Sequence, residues 1–384
     1  MLKRTILVTG ANGYIGNGIV QRLLGEGHLV VGVDNNIKSH WLSNMKSKSA
    51  LSDFAHRNES IKKIHKSYNF ISMDVTDKKM IDLLFRRFDF DTIINLAQQP
   101  SAPYSQMSHE AASWTISNNV SGCINILWAM KEFCPNAHLI EIESMGTFQP
   151  DVGVDIPENQ FVFEFNGRTS KPSIFPRRSA SNYHASKIFN TYLTESANRW
   201  WGLTSTSINQ GVVYGNYTPE IEKSDIQSFL ASDESFGTVI NRFMIQALLG
   251  VPLTMYGEGN QKRGYLALND SVQALQLFVD NPPELHTQRG VNQLDEVFSV
   301  NEIADKVITV AKRVLKKDVT KTNIEPPRIE PTNDFYYNPI TEVLPSLGFK
   351  QTRSVEDEIE YCFKKVNKRV LPHLKELVEP KIVW

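Results

Sequence analysis

The sequence is poor in cysteine, with Cys123, Cys134 and Cys362 as the three examples in 384 residues. None forms a CxxC pair or a spacing typical of metal ligands, so we expect no metal site, and a reducing compartment fits. A surplus of one charge is also missing, because 41 lysines and arginines face 42 aspartates and glutamates. This balance gives no reason to expect nucleic acid or an anionic membrane as a partner.

Long apolar runs are absent as well. The longest are the length of a strand, so we expect no membrane-spanning segment. Residues 4–9 already form a strand-like run, which leaves no room for a signal peptide before them. We therefore expect a soluble cytoplasmic protein, large enough for two domains or for one large domain with a lobe.

What the sequence does contain is a glycine-rich turn between a strand and a helix. The β-branched residues 4–9 predict a buried strand, GANGYIG follows at 10–16, and Val20, Leu23 and Leu24 then recur with a helical period. Such a turn lets the backbone approach a pyrophosphate and offers free N–H groups to it. The predicted contacts are Gly10, Asn12, Gly13, Tyr14, Ile15 and Gly16.

The second predicted strand, residues 29–33, ends in Asp34. A carboxylate there accepts hydrogen bonds from the adenosine ribose and repels a 2′-phosphate, which favours NAD over NADP. The third predicted strand, residues 68–73, should bring Asp74 to the adenine. The end of the fourth, residues 92–97, should border the nicotinamide side of the cofactor. The further cofactor contacts that we predict are Asn35, Val75, Leu96, Ala97, Gln98, Asn119, Tyr183, Lys187 and Gln210.

Strands and helices alternate through residue 149, with a fifth strand at 138–143 and another at 203–208. This alternation predicts a Rossmann-type α/β fold, which is a doubly wound parallel sheet. We predict an NAD-binding domain at 1–210 and a smaller mixed α/β substrate lobe at 211–384, with some segments of the lobe returning to the core. Asp270 is predicted to cap the helix that follows it.

Tyr183 and Lys187 stand four residues apart in SASNYHASK, so on a helix they share one face. A tyrosine hydroxyl is a poor base at neutral pH, but a neighbouring ammonium favours its phenolate form. Beside a hydride acceptor, the pair can move the proton of an alcohol or sugar that is being oxidised. Ser144, at the carboxyl end of the fifth strand, could bind a substrate hydroxyl and assist Tyr183.

Arg242, Arg263 and Arg328 are scattered in sequence, but all lie in the half without the glycine-rich turn. Arginine forks suit the diphosphate of a nucleotide-sugar, so the three together make such a site plausible. For each one singly, a surface salt bridge is the more common role.

GANGYIG, YHASK and GEGNQKRGY, with Asp34 and Ser144, resemble the extended short-chain dehydrogenase/reductase family of nucleotide-sugar enzymes over essentially the whole chain. Within that family, SAPYS (101–105), NQGVVYG (209–215) and FGTVINRF (236–243) are most similar to the UDP-sulfoquinovose synthases. The resemblance implies that C4 of a UDP-hexose is oxidised with NAD, and that sulfite is joined to UDP-glucose through a 4-keto-glucose-5-ene.

The same resemblance implies the roles of single residues and the assembly. Ser144, Tyr183 and Lys187 would be catalytic, and a homodimer would form through a four-helix bundle that includes the Tyr183 helix. The implied substrate contacts are Ser144, Met145, His184, Asn209, Arg242, Gln261, Arg263 and Arg328.

Two positions depart from the family pattern. Pro100 replaces an arginine before SAPYS, and Thr147 replaces an acid shortly after Ser144. An arginine could bind sulfite and an acid could move a C5 or C6 proton, whereas 4-epimerisation needs neither. A UDP-glucose 4-epimerase therefore stays open beside sulfonation. A non-catalytic NAD-binding regulator is a further alternative, although such proteins often lose the tyrosine or the lysine that this chain keeps.

Overall fold

The computed structural model describes residues 2–44, 56–148, 153–325, 336–366, 371–376 and 378. Its strands are β1 (Thr5–Thr9), β2 (Leu29–Asp34), β3 (Tyr68–Ser72), β4 (Thr92–Asn95), β5 (His138–Ser144), β6 (Glu164–Phe165), β7 (Arg168–Thr169), β8 (Thr204–Gln210), β9 (Val212–Tyr214), β10 (Leu253–Tyr256), β11 (Lys262–Ala267), β12 (Gln288–Gln293), β13 (Glu296–Ser299) and β14 (Lys321–Ile324).

The helices alternate with these strands. They are α1 (Tyr14–Gly25), α2 (Ile37–Asn44), α3 (Arg57–Ile64), α4 (Lys78–Arg87), α5 (His109–Phe133), α6 (Asn182–Trp201), α7 (Pro219–Ser224), α8 (Val239–Leu249), α9 (Leu268–Asp280), α10 (Val300–Val314), α11 (Val343–Ser346), α12 (Val355–Lys365) and α13 (Leu371–Leu374). Single 3₁₀ turns lie at Tyr104–Gln106 and Met145–Thr147.

A seven-stranded sheet forms the centre of the described chain, in the order β3-β2-β1-β4-β5-β8-β12. All its pairs are parallel, and Thr9 stands opposite both Val33 and Asn95. The order reverses between β1 and β4, so the carboxyl ends of these strands open a crevice at one edge of the sheet. The predicted Rossmann-type fold is confirmed.

Apolar side chains cover both faces of this sheet. On one face, α1 and α9 pack with Ile6, Val8 and Ile94, whereas α4 and α5 pack on the other face with Leu7 and Ile93. Strands that are buried on both faces are typical of parallel sheets with helical crossovers, which explains the continuous apolar runs in the sequence. This rigid layer fixes the loops at the sheet edge.

The C-terminal half builds a second core. β9 and β13 flank β11, and α8, α10 and α12 pack together with apolar side chains from these strands. β12 and α9 instead belong to the large sheet and its covering layer. These segments return to the first core, although the predicted boundary at residue 210 stays a prediction.

One local expectation was wrong. Asp270 does not cap α9, because it lies inside the first turn and accepts the N–H of Thr352 at 3.0 Å. In the part of the chain that the structure describes, no helix combines the length and apolarity that crossing a membrane requires.

Candidate active site

The glycine-rich turn leaves no space for side chains. β1 ends at Thr9, and Gly10 turns the chain with a φ of +69°, where a Cβ would lie 2.5 Å from the carbonyl oxygen of Leu96. A Cβ on Gly16, in the first turn of α1, would lie 2.1 Å from the carbonyl oxygen of Gly10. The backbone itself therefore forms the surface at this helix N-terminus, which suits a phosphate group.

Asp34 ends β2 beside this turn. Its Oδ2 accepts the N–H of Asn12 at 3.0 Å, and its Oδ1 accepts the N–H of Asn36 at 2.7 Å. Burial raises the pKa of Asp34, while these two N–H groups and the charges of Arg57 and Lys38 act in the opposite direction. The carboxylate is thus fixed where the sequence predicts ribose recognition.

Tyr183 and Lys187 project from the first two turns of α6. The Nζ of Lys187 lies 5.8 Å from the centroid of the Tyr183 ring. This ammonium donates to the carbonyl oxygen of Ile142 at 2.5 Å and to the side-chain oxygen of Gln98. Two acceptors therefore hold a buried cation beside the tyrosine.

Ser144 and His184 face the same cleft as Tyr183. The Oγ of Ser144 accepts the N–H of Gly146 at 3.1 Å, and the ring centroids of His184 and Tyr183 are 5.1 Å apart. A Cβ on Gly146 would lie 2.4 Å from the Nε2 of His184, so glycine allows the imidazole to lie against the loop after β5. The three side chains meet at the carboxyl edge of the sheet, where ligands of such folds bind.

Two arginines and a glutamine form a further part of the cleft lining. Arg242, in α8, donates to the carbonyl oxygen of Thr254 at 3.0 Å, and its guanidinium lies 5.1 Å from the Tyr256 ring centroid. Gln261 donates to the carbonyl oxygen of Tyr256 at 3.1 Å, and Arg263 lines the same wall. A pair of arginines in a cleft suits a diphosphate.

These parts belong to one continuous cleft of about 540 Å³. The sequence-predicted residues that line it are Gly10, Gly13, Tyr14, Ile15, Gly16, Asp34, Asn35, Val75, Leu96, Ala97, Gln98, Ser144, Met145, Tyr183, His184, Gln210, Arg242, Gln261 and Arg263. The structure therefore brings both ends of the predicted site together, and the individual roles stay predictions.

Residues 6–292 match the model of the NAD dependent epimerase/dehydratase family. The chain belongs to this family. It is an enzyme of the family, and its cofactor is NAD. The crevice fits that cofactor, because bare backbone faces it at Gly10 and Gly16 and a fixed carboxylate stands at the end of β2.

Two curated family members are similar over most of their length. UDP-sulfoquinovose synthase from Sulfolobus acidocaldarius is 35% identical over an alignment of 385 positions, which covers 99% of this chain and 97% of that protein. The chloroplastic UDP-sulfoquinovose synthase from Spinacia oleracea is 33% identical over 353 residues, which are 91% of this chain and 72% of that protein.

Solved structures show the same fold. A UDP-glucose 4-epimerase from Thermotoga maritima, solved with UDP-glucose, superposes with a TM-score of 0.68 at 20% identity and covers 94% of this chain and 98% of its own. The Pal protein from Bacillus thuringiensis superposes with a TM-score of 0.71 at 22% identity, with the same coverage. At these identities the likeness concerns the fold alone.

Some predicted residues of this family member lie behind the cleft wall. Asn12 donates to Asn36 at 2.6 Å, Asp74 accepts from Asn35 at 2.9 Å, and Asn119 accepts the backbone N–H of Gln99 at 2.8 Å. They support the wall instead of forming it.

Asn209 is similarly placed behind the wall. It donates to Asn292 at 3.0 Å and accepts from Arg177, also at 3.0 Å. Lys187 is buried below Tyr183. Arg328 lies outside the described residues. Within those residues, no group of three or more histidine, cysteine, aspartate or glutamate side chains could hold a metal ion.

The sequence analysis missed an aromatic wall of the cleft. Trp41 in α2 packs against Trp114 with ring centroids 4.4 Å apart, and stacks on Phe236 at 5.8 Å. Lys38 lies 4.8 Å from the Phe229 ring centroid, and burial lowers its pKa to about 8. Their positions follow from contacts between residues about 70 to 200 apart, so no local pattern could reveal them.

Two buried glutamates beside Lys187 were also missed. Glu141 and Glu143 lie on one face of β5, where they alternate with the apolar Ile140 and Ile142, and both are shielded from solvent. Burial raises the pKa of both carboxyls, and the Lys187 ammonium opposes that shift. The signal was available, because two acids in a central strand are rare unless they are paired.

Proposed function

We propose that this protein is a UDP-sugar enzyme of the UDP-sulfoquinovose synthase type, which acts on UDP-glucose and sulfite. The observation that carries the proposal is the single cleft that joins the phosphate-binding turn, the Tyr183–Lys187 pair and the Arg242–Arg263 wall. Two relatives at 35% and 33% identity with that name support the choice of substrate.

The side chains of the cleft suit oxidation at C4 of the hexose. Tyr183, as the phenolate, takes the proton of the C4 hydroxyl, and the Ser144 Oγ holds that hydroxyl. The Lys187 ammonium, fixed by Ile142 and Gln98, lies beside the Tyr183 ring and would stabilise negative charge that develops during the proton transfer. NAD, which the glycine-rich turn and Asp34 would hold, would supply the hydride acceptor for C4.

Arg242, Gln261 and Arg263 would bind the UDP diphosphate. These side chains line the same cleft as Ser144 and Tyr183, so the sugar would lie between the bound diphosphate and Ser144. In the net reaction, the C6–O bond of UDP-glucose breaks and a C6–S bond forms. Hydrogen sulfite enters and water leaves, so no external oxidant or reductant is consumed.

UDP-glucose 4-epimerisation is the second candidate, and two positions favour it. Pro100, which lines the cleft, supplies no charge for sulfite. Thr147 is fully buried, accepts from Arg177 at 2.8 Å and donates to the carbonyl oxygen of Ser144 at 2.8 Å. No carboxylate is therefore present at position 147 to move a C5 or C6 proton.

An assay with UDP-glucose, with and without sulfite, separates the two candidates. We expect a UDP-sulfosugar only when sulfite is present, measured by mass spectrometry of the nucleotide-sugar pool. Formation of UDP-galactose without sulfite, and no sulfonated product with it, would show the epimerase instead. Absence of both products would overturn the proposed function.

We further propose that the protein acts in the cytoplasm as a homodimer. All three cysteines are buried and unpaired, as expected in a reducing compartment. On α6, Phe189, Tyr192 and Trp200 are 56%, 47% and 68% exposed and follow one helical face. An apolar strip of this kind on a packed pair of helices supports association through α5 and α6.

A further inference from the structure

A continuous chain of buried hydrogen bonds connects Lys187 with the end of β1. Gln98 accepts from the Lys187 ammonium through its oxygen and donates to Glu141 through its nitrogen. Asn95 donates to the other oxygen of Glu141 at 2.8 Å and accepts the hydroxyl proton of Thr9 at 2.7 Å. This hydrogen-bond chain crosses three neighbouring strands, β1, β4 and β5.

The direction of every bond in this chain is fixed from both ends. The Thr9 Oγ1 accepts the N–H groups of Leu96 at 3.1 Å and Ala97 at 3.2 Å, so its own proton must point to the oxygen of Asn95. The Asn95 nitrogen must then point to Glu141. At the other end, the Lys187 ammonium can only donate, which turns the Gln98 nitrogen towards Glu141 as well.

Donors thus arrive at Glu141 from both sides. A third amide, that of Asn190, approaches the same carboxylate at 3.3 Å. Of the buried side chains, only an ionised carboxylate accepts at both of its ends. Burial raises the pKa of Glu141, while the charge of Lys187 and the amides of Asn95, Gln98 and Asn190 stabilise the ionised form.

We propose that Glu141 is a positioning residue of the active site, which orients the Gln98 amide so that its oxygen holds the Lys187 ammonium beside Tyr183. This inference rests on the proposed function, because it concerns the same lysine. It assigns a role to Glu141 that neither the family motifs nor the cleft lining contain. If glutamine replaces Glu141, its single oxygen cannot accept from both Gln98 and Asn95, so one of these amides faces an N–H group. A rotation of the Gln98 amide that relieved this contact would place an N–H group against the ammonium.

Glu143 offers a matched control on the same strand face. Among the described residues, its oxygens accept no hydrogen bond, and the Thr191 hydroxyl donates to the carbonyl oxygen of Lys187 instead at 3.1 Å. Burial raises the pKa of Glu143 well above its usual range, and glutamine has nearly the same shape, so Glu143→Gln alters this side chain without removing one of the described hydrogen bonds. The control therefore changes a buried glutamate near Lys187 without breaking the chain.

The test compares Glu141→Gln, Glu143→Gln and the double variant Glu141→Gln/Gln98→Glu. The double variant moves the carboxylate one position along the chain. The new glutamate can accept from both Lys187 and the new glutamine, whose oxygen can accept from Asn95, so donors and acceptors stay matched and the buried charge is unchanged. Asn190 loses its long bond, but it also donates to Asn119 at 3.3 Å.

Three quantities are measured for each variant: kcat and KM with UDP-glucose and sulfite, NAD affinity by calorimetric titration, and the midpoint of thermal unfolding. For Glu141→Gln we expect kcat to fall about tenfold or more with little change in KM, and NAD to bind more weakly. For Glu143→Gln we expect kcat and NAD affinity within about threefold of wild type, and for the double variant we expect both to recover part of what Glu141→Gln loses.

Several outcomes would overturn the inference. The first is a Glu141→Gln variant that keeps the kcat and NAD affinity of the wild type. The second is a Glu143→Gln variant whose kcat and NAD affinity fall as far as those of Glu141→Gln. The third is a double variant that is unfolded, or whose kcat and NAD affinity are no higher than those of Glu141→Gln. If Glu141→Gln alone fails to fold, the double variant decides. If the wild type converts no UDP-glucose, the proposed function fails, but the NAD affinities of the three variants still test the positioning role.

Discussion

Tyr183 is the residue at which chemistry can be separated from binding. Tyr183→Phe removes one hydroxyl and keeps the ring that lies 5.1 Å from the His184 ring, so the cleft should keep its shape. We expect kcat to fall by about 10²- to 10⁴-fold, because a positioned proton acceptor contributes about that much. NAD affinity by calorimetry and the thermal midpoint should stay near wild type.

Tyr192→Phe is the control for this change. Tyr192 lies on the same helix but is 47% exposed, and it does not line the cleft. Its loss of a hydroxyl should leave kcat unaltered. Full activity in Tyr183→Phe would show that another group takes the proton, and the catalytic assignment would have to be abandoned.

At the scale of elements, the N-terminal half was predictable because its signals are local. Thr5–Thr9 and Leu29–Asp34 are apolar and β-branched, and Lys78–Arg87 begins after Asp77, which accepts from the N–H groups of Lys79 and Met80. These features act within a few residues of the chain. The order of the strands then follows from the right-handed crossovers of the Rossmann-type fold.

Elements that depend on distant partners were not predictable. β12 has the polar sequence QRGVNQ, and it becomes a strand because it pairs with β8, about 80 residues earlier. Its Asn292 and Gln293 are buried, but their hydrogen bonds go to Asn209 and Gln210. Glu141 is similar, because its role depends on hydrogen bonds from the amides of Asn95 in β4 and Asn190 in α6.

The α5–α6 pair supplies a prediction at the element scale. Phe189→Arg places a charge within the exposed apolar strip of α6, where Phe189 is 56% exposed. If two copies associate through this face, burying the charge should raise the dimer dissociation constant by about tenfold or more. Analytical ultracentrifugation over a range of concentrations measures the change.

Phe165→Arg is the matched control, since Phe165 is 71% exposed on the β6–β7 hairpin, away from both helices. It should sediment like the wild type. Equal dimerisation of both variants would place the interface elsewhere, and a monomeric wild type would remove the homodimer from the proposed function.

On the scale of the whole molecule, the two cores meet at a pair of carboxyls, of which Asp270 is buried and Asp295 is partly buried. Asp295 lies between β12 of the large sheet and β13 of the small one, and its Oδ2 accepts the N–H of Ala267 at 3.2 Å. Asp270, in α9, accepts from Thr352 just before α12. Ionisation of these two carboxyls therefore affects the contact between the two cores.

Burial and the facing Asp270 charge raise the pKa of Asp295 to about 8, and burial raises that of Asp270 as well. The folded protein then binds more protons than the unfolded chain between about pH 4 and pH 8. The contribution of this pair to the free energy of unfolding therefore decreases as pH rises through this window. Glu358, whose pKa burial raises to about 7, adds a contribution of the same sign.

Asp295→Asn should remove much of this dependence of stability on pH. The amide oxygen can still accept the N–H of Ala267, but the amide does not ionise. We expect the variant to match wild type near pH 5 and to be more stable by on the order of 1 kcal/mol or more near pH 9. Thermal unfolding across this range measures it, with Asp305→Asn, which is 63% exposed, as the control. Parallel curves for wild type and Asp295→Asn would mean that the proton on this pair does not control the contact between the two cores, and that the pH dependence arises from other groups such as Glu358.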